Sequence, residues 1–303
     1  MLYGLSIVFF PLFFGYLIKF NQAEKLVIIN RILMTCLYFI LFFMGCSLGQ
    51  LDNLTTILPQ IGYTAFMMSV IVQGCNITCL LLFEFLMPYR LEIQSNEPLP
   101  SRLKLLFESS LLCSMVLLGG IVSFLLKDFI TFSSHLSVYP LVIMIFCVGI
   151  QLRNSGIPLA EVFMNKRGIQ LSIVMLISAM ISGVIIATFC NFSLIKGLTF
   201  ASGLGWYSLS STLIGDTWGA IAGSTAFFND LSRELYCLFT IPFFMSRFPS
   251  TAVGLGAATS LDVSLPIIQK SGGTQVVPLA ISFGFIINIA VPLLLSFFIG
   301  LSQ

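Results

Sequence analysis

The chain has 303 residues, of which 57% are hydrophobic and 9% are charged, and its formal net charge is +2. Its mean hydropathy is +1.03, whereas about a quarter of the residues in a soluble domain are charged. Apolar runs recur along the whole length, and no polar block is long enough to fold alone. The composition therefore predicts one transmembrane domain over 1–303 and excludes a separate soluble catalytic or nucleic-acid-binding domain.

Eight apolar segments are predicted to cross the bilayer as helices, at about 20 residues per span. They lie near residues 2–18, 27–50, 60–87, 107–126, 137–152, 170–192, 218–246 and 276–301. The first has no basic residue before it and no small-residue cleavage site after it, so we expect a retained helix and not a signal peptide. The predicted fold class is an all-α polytopic membrane protein.

Two stretches between these segments have a different composition. They read "GLTFASGLGWYSLSSTLIG" (197–215) and "STAVGLGAATSLDVSLPIIQKSGG" (250–273), and both are rich in Gly, Ser, Thr and Ala. Non-helical backbone at membrane depth is tolerated only where protein or a water-filled cavity surrounds it. We therefore predict two re-entrant or broken segments. Two tightly packed full spans, which would give ten in total, are the alternative.

Lysine and arginine residues concentrate in alternate loops. The loops after the first, third and fifth spans hold Lys19, Lys25, Arg31, Arg90, Arg102, Lys104, Arg153, Lys166 and Arg167. The intervening loops hold only Lys127 and Lys196. The positive-inside rule makes the basic loops cytoplasmic and the N-terminus external. With re-entrant segments, Arg247 and Lys270 also fall inside and the C-terminus is outside, whereas ten spans would leave Arg247 outside.

A short pattern occurs twice in the chain. "FFMGCSLGQLDN" (42–53) and "FCVGIQLRNSG" (146–156) share Phe-x-x-Gly-x-x-Leu, with Gly45 matching Gly149. In the predicted topology the two copies run in opposite directions, as an inverted repeat requires. We therefore predict a first inverted half over 1–126 and a second half with the broken helices over 127–303. Inverted repeats with interrupted helices are typical of transporters.

Three charged residues lie close together in the apolar segment "TAFFNDLSRELYCLF" (225–239). On a helix, Asp230 and Arg233 are neighbours, and they either form a structural salt bridge or line a binding site. Glu234 is adjacent to Arg233 and points away from it. A buried carboxylate takes a proton or binds a cation, because an uncompensated charge in low dielectric is too costly. Glu234 is therefore predicted to be functional.

Two further carboxylates have alternative interpretations. Asp52 follows the second apolar segment and, from its position alone, is a loop carboxylate or cap. Asp262, within "ATSLDVSLP", either caps a half-helix or faces a cavity.

Small residues near the predicted breaks are candidates for the anion side of a site. Half-helix N-termini offer free backbone N–H groups to a substrate carboxylate, although close helix packing would need the same residue types. Trp206 and Tyr207 would wall such a site or anchor the interface. The other residues that we expect to line it are Gly203, Gly205, Ser208, Ser210, Asn229, Gly256, Thr259 and Ser260.

The chain resembles a known family at "FFMGCSLGQLDNL", "VGIQLRNSG", "ASGLGWYSLSS", "AFFNDLSREL" and "GAATSLDVSLPIIQKSGG". It is similar over essentially its full length to the bacterial lysine exporter family LysO, also called YbjE or DUF340. The resemblance implies an inner-membrane exporter of L-lysine and its analogue thialysine, in exchange for protons. It also implies that two intramembrane acidic residues matter, which fall at Asp52 and Glu234. Further, it implies a fold like that of the cation/proton antiporter and bile-acid transporter group.

The sequence thus predicts a lysine exporter and not an enzyme. Its expected partners are L-lysine, protons and the bilayer, with no nucleic acid, no metal and no cofactor, and self-association is left open. The alternative is a sodium-coupled carrier of another small solute, in which the same carboxylates hold sodium.

Overall fold

The computed structural model describes residues 10–20, 23–50, 54–89, 102–126, 134–154 and 165–302. All regular secondary structure in these ranges is helical. The α-helices are α1 (10–16), α2 (Ala23–Gly49), α3 (Leu54–Leu86), α4 (Arg102–Leu125), α5 (Val138–Asn154), α6 (Lys166–Phe189), α7 (Leu194–Ala201), α8 (Tyr207–Trp218), α9 (Ala220–Met245), α10 (Pro249–Gly256), α11 (Leu265–Gly272) and α12 (Val277–Leu301).

Eight of these helices, α1 to α6 with α9 and α12, overlap the eight predicted apolar segments, although residues 2–9 of the first segment lie outside the described residues. Four of them, α2, α3, α6 and α12, are long and apolar enough to cross a bilayer without interruption. Helix α9 has 26 residues but carries the three charges of the 225–239 segment. The multi-pass all-helical prediction is therefore confirmed.

The first small-residue stretch is a helical hairpin that is open at its tip, hereafter hairpin 1 (194–218). Helix α7 ends at Ala201, and α8 begins at Tyr207. The Lys196 ammonium, at the start of α7, lies 5.5 Å from the ring of Trp218, the last residue of α8. The outer ends of α7 and α8 therefore lie at the same end of the bundle, and the break lies inside it.

The second stretch is built in the same way, hereafter hairpin 2 (249–272). Its tip is a 3-10 turn, Ala257–Leu261, between α10 and α11. Gly272, the last residue of α11, packs against Met245, the last residue of α9, so closely that a Cβ there would lie 2.8 Å from the methionine sulfur. Since α10 begins just after Met245, both ends of hairpin 2 lie at one end of the bundle.

Contacts between helix ends define one end of the bundle. Asn154 Nδ2 donates to the Ile18 carbonyl at 3.0 Å, which joins the ends of α5 and α1. Asn165 Nδ2 donates to the Pro278 carbonyl at 3.4 Å, which joins the starts of α6 and α12. We call this the basic end, because it holds Lys19, Lys25, Arg31, Arg153, Lys166, Arg167, Arg247 and Lys270. Hairpin 2 enters from the basic end and hairpin 1 from the opposite end.

The repeated Phe-x-x-Gly-x-x-Leu pattern marks two similar helix contacts. Gly45 on α2 packs against the backbone of α4 at Val116, and Gly149 on α5 packs against α1 at Leu12. In both places a side chain larger than hydrogen would meet the backbone of the neighbouring helix. The matched glycines therefore have the same packing role.

Candidate functional site

The tips of the two hairpins meet inside the bundle. The backbone N–H of Ala258 donates to the carbonyl of Leu204 at 3.1 Å. Leu204 and Ala257 both have a φ of +48°, a left-handed conformation that side chains other than glycine rarely adopt. Such conformations persist where the surrounding contacts hold them. The two broken helices therefore meet at their tips, and the backbone polar groups of the breaks lie in the middle of the bundle.

Helix α9 holds both tips through Asp230 and Arg233. The Asp230 carboxylate accepts from the Gly205 N–H at 3.3 Å and from the Ser210 hydroxyl, both in hairpin 1. The Arg233 guanidinium donates to the Leu255 carbonyl in hairpin 2 at 3.3 Å. Both side chains are almost fully buried. These two described side chains therefore have separate partners and do not form the direct salt bridge that was one of the two sequence interpretations, because each charge satisfies the open backbone of a different hairpin.

Two glycines in the break of hairpin 1 make room for these charges. Gly203 packs directly on the Asp230 carboxylate. Gly205 has a φ of +91°, and a Cβ there would lie 2.8 Å from Cδ of Arg233. The predicted site glycines therefore serve the close approach of α9 to the hairpin.

A cavity of about 480 Å³ lies beside the joined tips. It extends toward the basic end, where Gln151 Nε2 donates to Asn30 Oδ1 at 3.3 Å. Its volume is in the range of small-molecule sites. The lining residues are Asn30, Leu33, Met34, Leu37, Met144, Val148, Gln151, Gly205, Trp206, Tyr207, Ser208, Ala258, Thr259, Leu261, Asp262, Val263 and Asn288.

The cavity has an electropositive wall and an electronegative one. Its positive wall is the N-terminus of α8, where Trp206 makes no side-chain cap and Tyr207 and Ser208 line the space. Free N–H groups and the helix dipole favour an anion there. Its negative wall is Asp262, whose side chain is exposed in the cavity and accepts from the Val263 N–H. Asp262 therefore faces a cavity and does not cap α11, whose N-cap is Ser264.

Glu234 lies deeper in the bundle, where its side chain is 8% exposed. Tyr207 and Asp262 both line the cavity, and Phe227, which Tyr207 contacts, lies about two turns before Glu234 on α9. The Tyr207 ring packs edge-on against Phe227, with 5.8 Å between centroids. Tyr207 thus lies where the cavity and the buried carboxylate approach each other.

The remaining predicted site residues hold the tips in shape. Asn229 Nδ2 donates to Asp230 at 3.3 Å. The Thr259 hydroxyl donates to the Gly256 carbonyl at 2.8 Å, and the Ser260 hydroxyl donates to the Val253 carbonyl at 2.7 Å. Of Asn229, Gly256, Thr259 and Ser260, only Thr259 lies on the cavity wall. Asp52 lies outside the described residues, so its place relative to the site stays a prediction.

Asn288, in α12, is a polar residue at the site that was not predicted from the sequence. Its side-chain amide donates to the carbonyls of Ala258 and Gly284 at 2.7 and 2.8 Å, which fixes hairpin 2 to the middle of α12. A single asparagine within "FGFIINIAVPLLL" is a polar residue at membrane depth. That signal could have identified it.

Glu84, near the end of α3, lies inside the bundle. It is 3% exposed and accepts from the backbone N–H groups of Ser250 and Thr251 at 3.0 and 2.7 Å. Arg167 Nε donates to the Ser250 hydroxyl at 2.9 Å. Glu84 therefore caps α10 from a distant helix, a long-range contact that local sequence does not reveal.

This architecture defines a multi-pass membrane protein with interrupted helices beside a ligand-sized cavity, the arrangement that secondary transporters use. The family model described as Lysine exporter LysO matches residues 113–299. The chain is 42% identical over 299 residues to the lysine exporter LysO of Escherichia coli (strain K12), covering 98% of this chain and 99% of that one. The chain therefore belongs to the LysO family.

A second relative, from Haemophilus influenzae, has a name that also refers to lysine export. It is 51% identical over 187 residues, covering 62% of this chain and 96% of that one. No solved structure matches the chain significantly.

Proposed function

We propose that this protein exports L-lysine, and its analogue thialysine, from the cytoplasm in exchange for protons. The observation that carries the proposal is the pairing of an uncapped helix N-terminus, at Trp206–Ser208, with the Asp262 carboxylate across one cavity. L-Lysine has a carboxylate that would bind at the helix N-terminus and ammonium groups that would bind at Asp262. The LysO relatives support the same substrate.

Proton coupling follows from the carboxylates. Moving one positive charge outward against an inside-negative potential costs about 2.3 kcal/mol per 100 mV, so export needs an ion that moves inward. A carboxylate that binds either a proton or the lysine ammonium, but not both, exchanges one for the other. Glu234 and Asp262, on either side of Tyr207, are our candidates for this exchange. Asp52 is a third candidate, because the family resemblance implies that this residue matters.

The proposal includes a topology. The protein lies in the inner membrane with eight full spans and with its basic end in the cytoplasm. Both termini are then outside, and the two hairpins are re-entrant from opposite faces of the membrane. The contact of Lys196 with Trp218 and that of Gly272 with Met245 support this count over ten spans. We also propose a first inverted half over 1–126 and a second half over 127–303, on the Phe-x-x-Gly-x-x-Leu pattern that Gly45 and Gly149 share in the sequence.

A competition assay tests the substrate. Inside-out vesicles that contain the protein should accumulate radiolabelled L-lysine, and thialysine should compete. Norleucine lacks the side-chain ammonium and should not compete, because Asp262 selects the cation. Equal inhibition by norleucine would contradict a cation site, and dependence on sodium in place of protons would favour the sodium-coupled alternative.

A further inference from the structure

A small polar slot lies on the far side of the joined tips from the cavity. It is formed by α2, α8 and α9 with Ser137 at the start of α5, and its volume is about 20 Å³, room for roughly one water molecule. The lining residues are Met44, Ser47, Ser137, Ser211, Thr212, Gly215, Ala220 and Gly223. The slot lies toward the opposite end of the bundle, near the Gly219 turn that joins α8 to α9.

The slot and the cavity share the same helix faces. On α8, Ser208 lines the cavity, and Ser211, Thr212 and Gly215 line the slot. On α2, Leu37 is the last cavity residue, and the slot residues Met44 and Ser47 follow on the same side. Positions three and four apart on a helix face the same way. The seam between α2 and α8 therefore leads from the cavity to the slot.

Apolar side chains close the seam between the two spaces. Ile40 and Leu41 on α2 have no exposed surface, and Leu37 is 5% exposed. The distance from Leu37 to Met44 along α2 is about 10 Å at 1.5 Å per residue. The seam is therefore open to the basic end and shut over about two helical turns toward the opposite end.

We propose that the outer half of the lysine route follows this α2–α8 seam through the slot, an inference that rests on the proposed function. Leu37, Ile40 and Leu41 are the closed outer barrier. Ser47 donates to the Phe43 carbonyl at 3.1 Å and Thr212 donates to the Ser208 carbonyl at 2.8 Å. Each hydroxyl oxygen keeps lone pairs that accept from a passing ammonium.

Cysteine labelling tests the route. In a variant whose native cysteines are replaced, Thr212→Cys and Ser47→Cys are treated in intact cells with a membrane-impermeant methanethiosulfonate. Ser182→Cys is the matched control for Thr212→Cys, because Ser182 is also buried and donates to its own helix at Ala179, but α6 does not line the seam. Ser47 is half-buried, so Ser47→Cys is compared with itself, with and without lysine. Lysine efflux is measured on every variant.

Thr212→Cys should react faster than Ser182→Cys. Loading the cells with lysine should raise the rates of both seam cysteines about tenfold, since an open state populated at the level of a few per cent limits the reaction. Modification should stop lysine efflux only in the seam variants. Normal efflux with Thr212→Cys labelled no faster than Ser182→Cys, or with no rise on lysine loading at either seam cysteine, would overturn the route. If Thr212→Cys does not accumulate, Ser47→Cys decides. Absence of efflux in the unmodified parent would instead contradict the proposed function.

Discussion

Arg233 on α9 donates from Nη1 to the carbonyl oxygen of Leu255, 3.3 Å away in the last turn of α10. A cation is favoured there because the C-terminal end of a helix carries partial negative charge. One turn earlier on α9, Asp230 accepts from the break of hairpin 1. The two charges that interrupt an otherwise apolar helix thus connect α9 to both hairpin tips.

Asp230→Asn should lower the free energy of unfolding by about 3–5 kcal/mol, the usual loss when one member of a buried charged network is removed. The Gly205 N–H and the Ser210 hydroxyl would lose an anionic acceptor, and Arg233 would stay buried without its compensating charge. Chemical unfolding of the purified protein in detergent measures the change. Changing Asp230→Asn and Arg233→Gln together should recover part of the loss. A double variant no more stable than Asp230→Asn would contradict this account.

Asp262→Asn makes the same chemical change on a carboxylate that faces the cavity. Because the Asp262 side chain is exposed there and forms no link between helices among the described contacts, stability should stay within about 0.5 kcal/mol of the parent. Lysine transport should be lost, since the cavity loses its negative wall. Unfolding and vesicle uptake measured on one preparation separate the two effects. Wild-type uptake by Asp262→Asn would remove Asp262 from the site.

Glu84→Gln should destabilise the start of hairpin 2. The carboxylate accepts from two backbone N–H groups and the Thr251 hydroxyl, whereas an amide has one acceptor oxygen. Loss of a cap typically costs about 0.5–2 kcal/mol. Thermal unfolding in detergent measures it, with Glu24→Gln, an exposed residue in the first turn of α2, as the control. Equal melting temperatures for the two variants would show that the cap does not stabilise the protein.

Much of this fold follows from local sequence. Apolar runs located the long helices, and Gly, Ser and Thr content located both broken segments, because backbone without helical hydrogen bonds needs small residues and polar neighbours. The charges of 225–239 predicted a site on α9, and that role stays a prediction. The partners of those charges could not be predicted from the sequence. Asp230 and Arg233 lie three residues apart on a helix, and that spacing fits a local salt bridge as well as it fits contacts to other segments. Their hairpin contacts depend on tertiary packing, as does the cap at Glu84.

Accessibility of single cysteines tests the eight-span topology. Lys166→Cys and Arg247→Cys should be shielded from an impermeant thiol reagent in intact cells, because both lie at the basic end. Lys196→Cys, at the base of hairpin 1, should be labelled. Permeabilised cells supply the control, in which all three should react. Labelling of Arg247→Cys in intact cells with Lys166→Cys shielded would favour ten spans.

If Glu234 exchanges a proton for lysine, proteoliposomes that contain the protein should show proton movement coupled to lysine. Purified parent and Glu234→Gln are reconstituted with a pH-sensitive dye inside, and L-lysine is added with the membrane voltage clamped and sodium absent. The parent should move protons against lysine, and an imposed pH gradient should drive uptake of radiolabelled lysine. Glu234→Gln keeps the shape of the side chain but cannot release a proton, so it should be folded and show neither flux, while Glu24→Gln behaves as the parent. Near-parental lysine-coupled proton flux in Glu234→Gln would contradict the account.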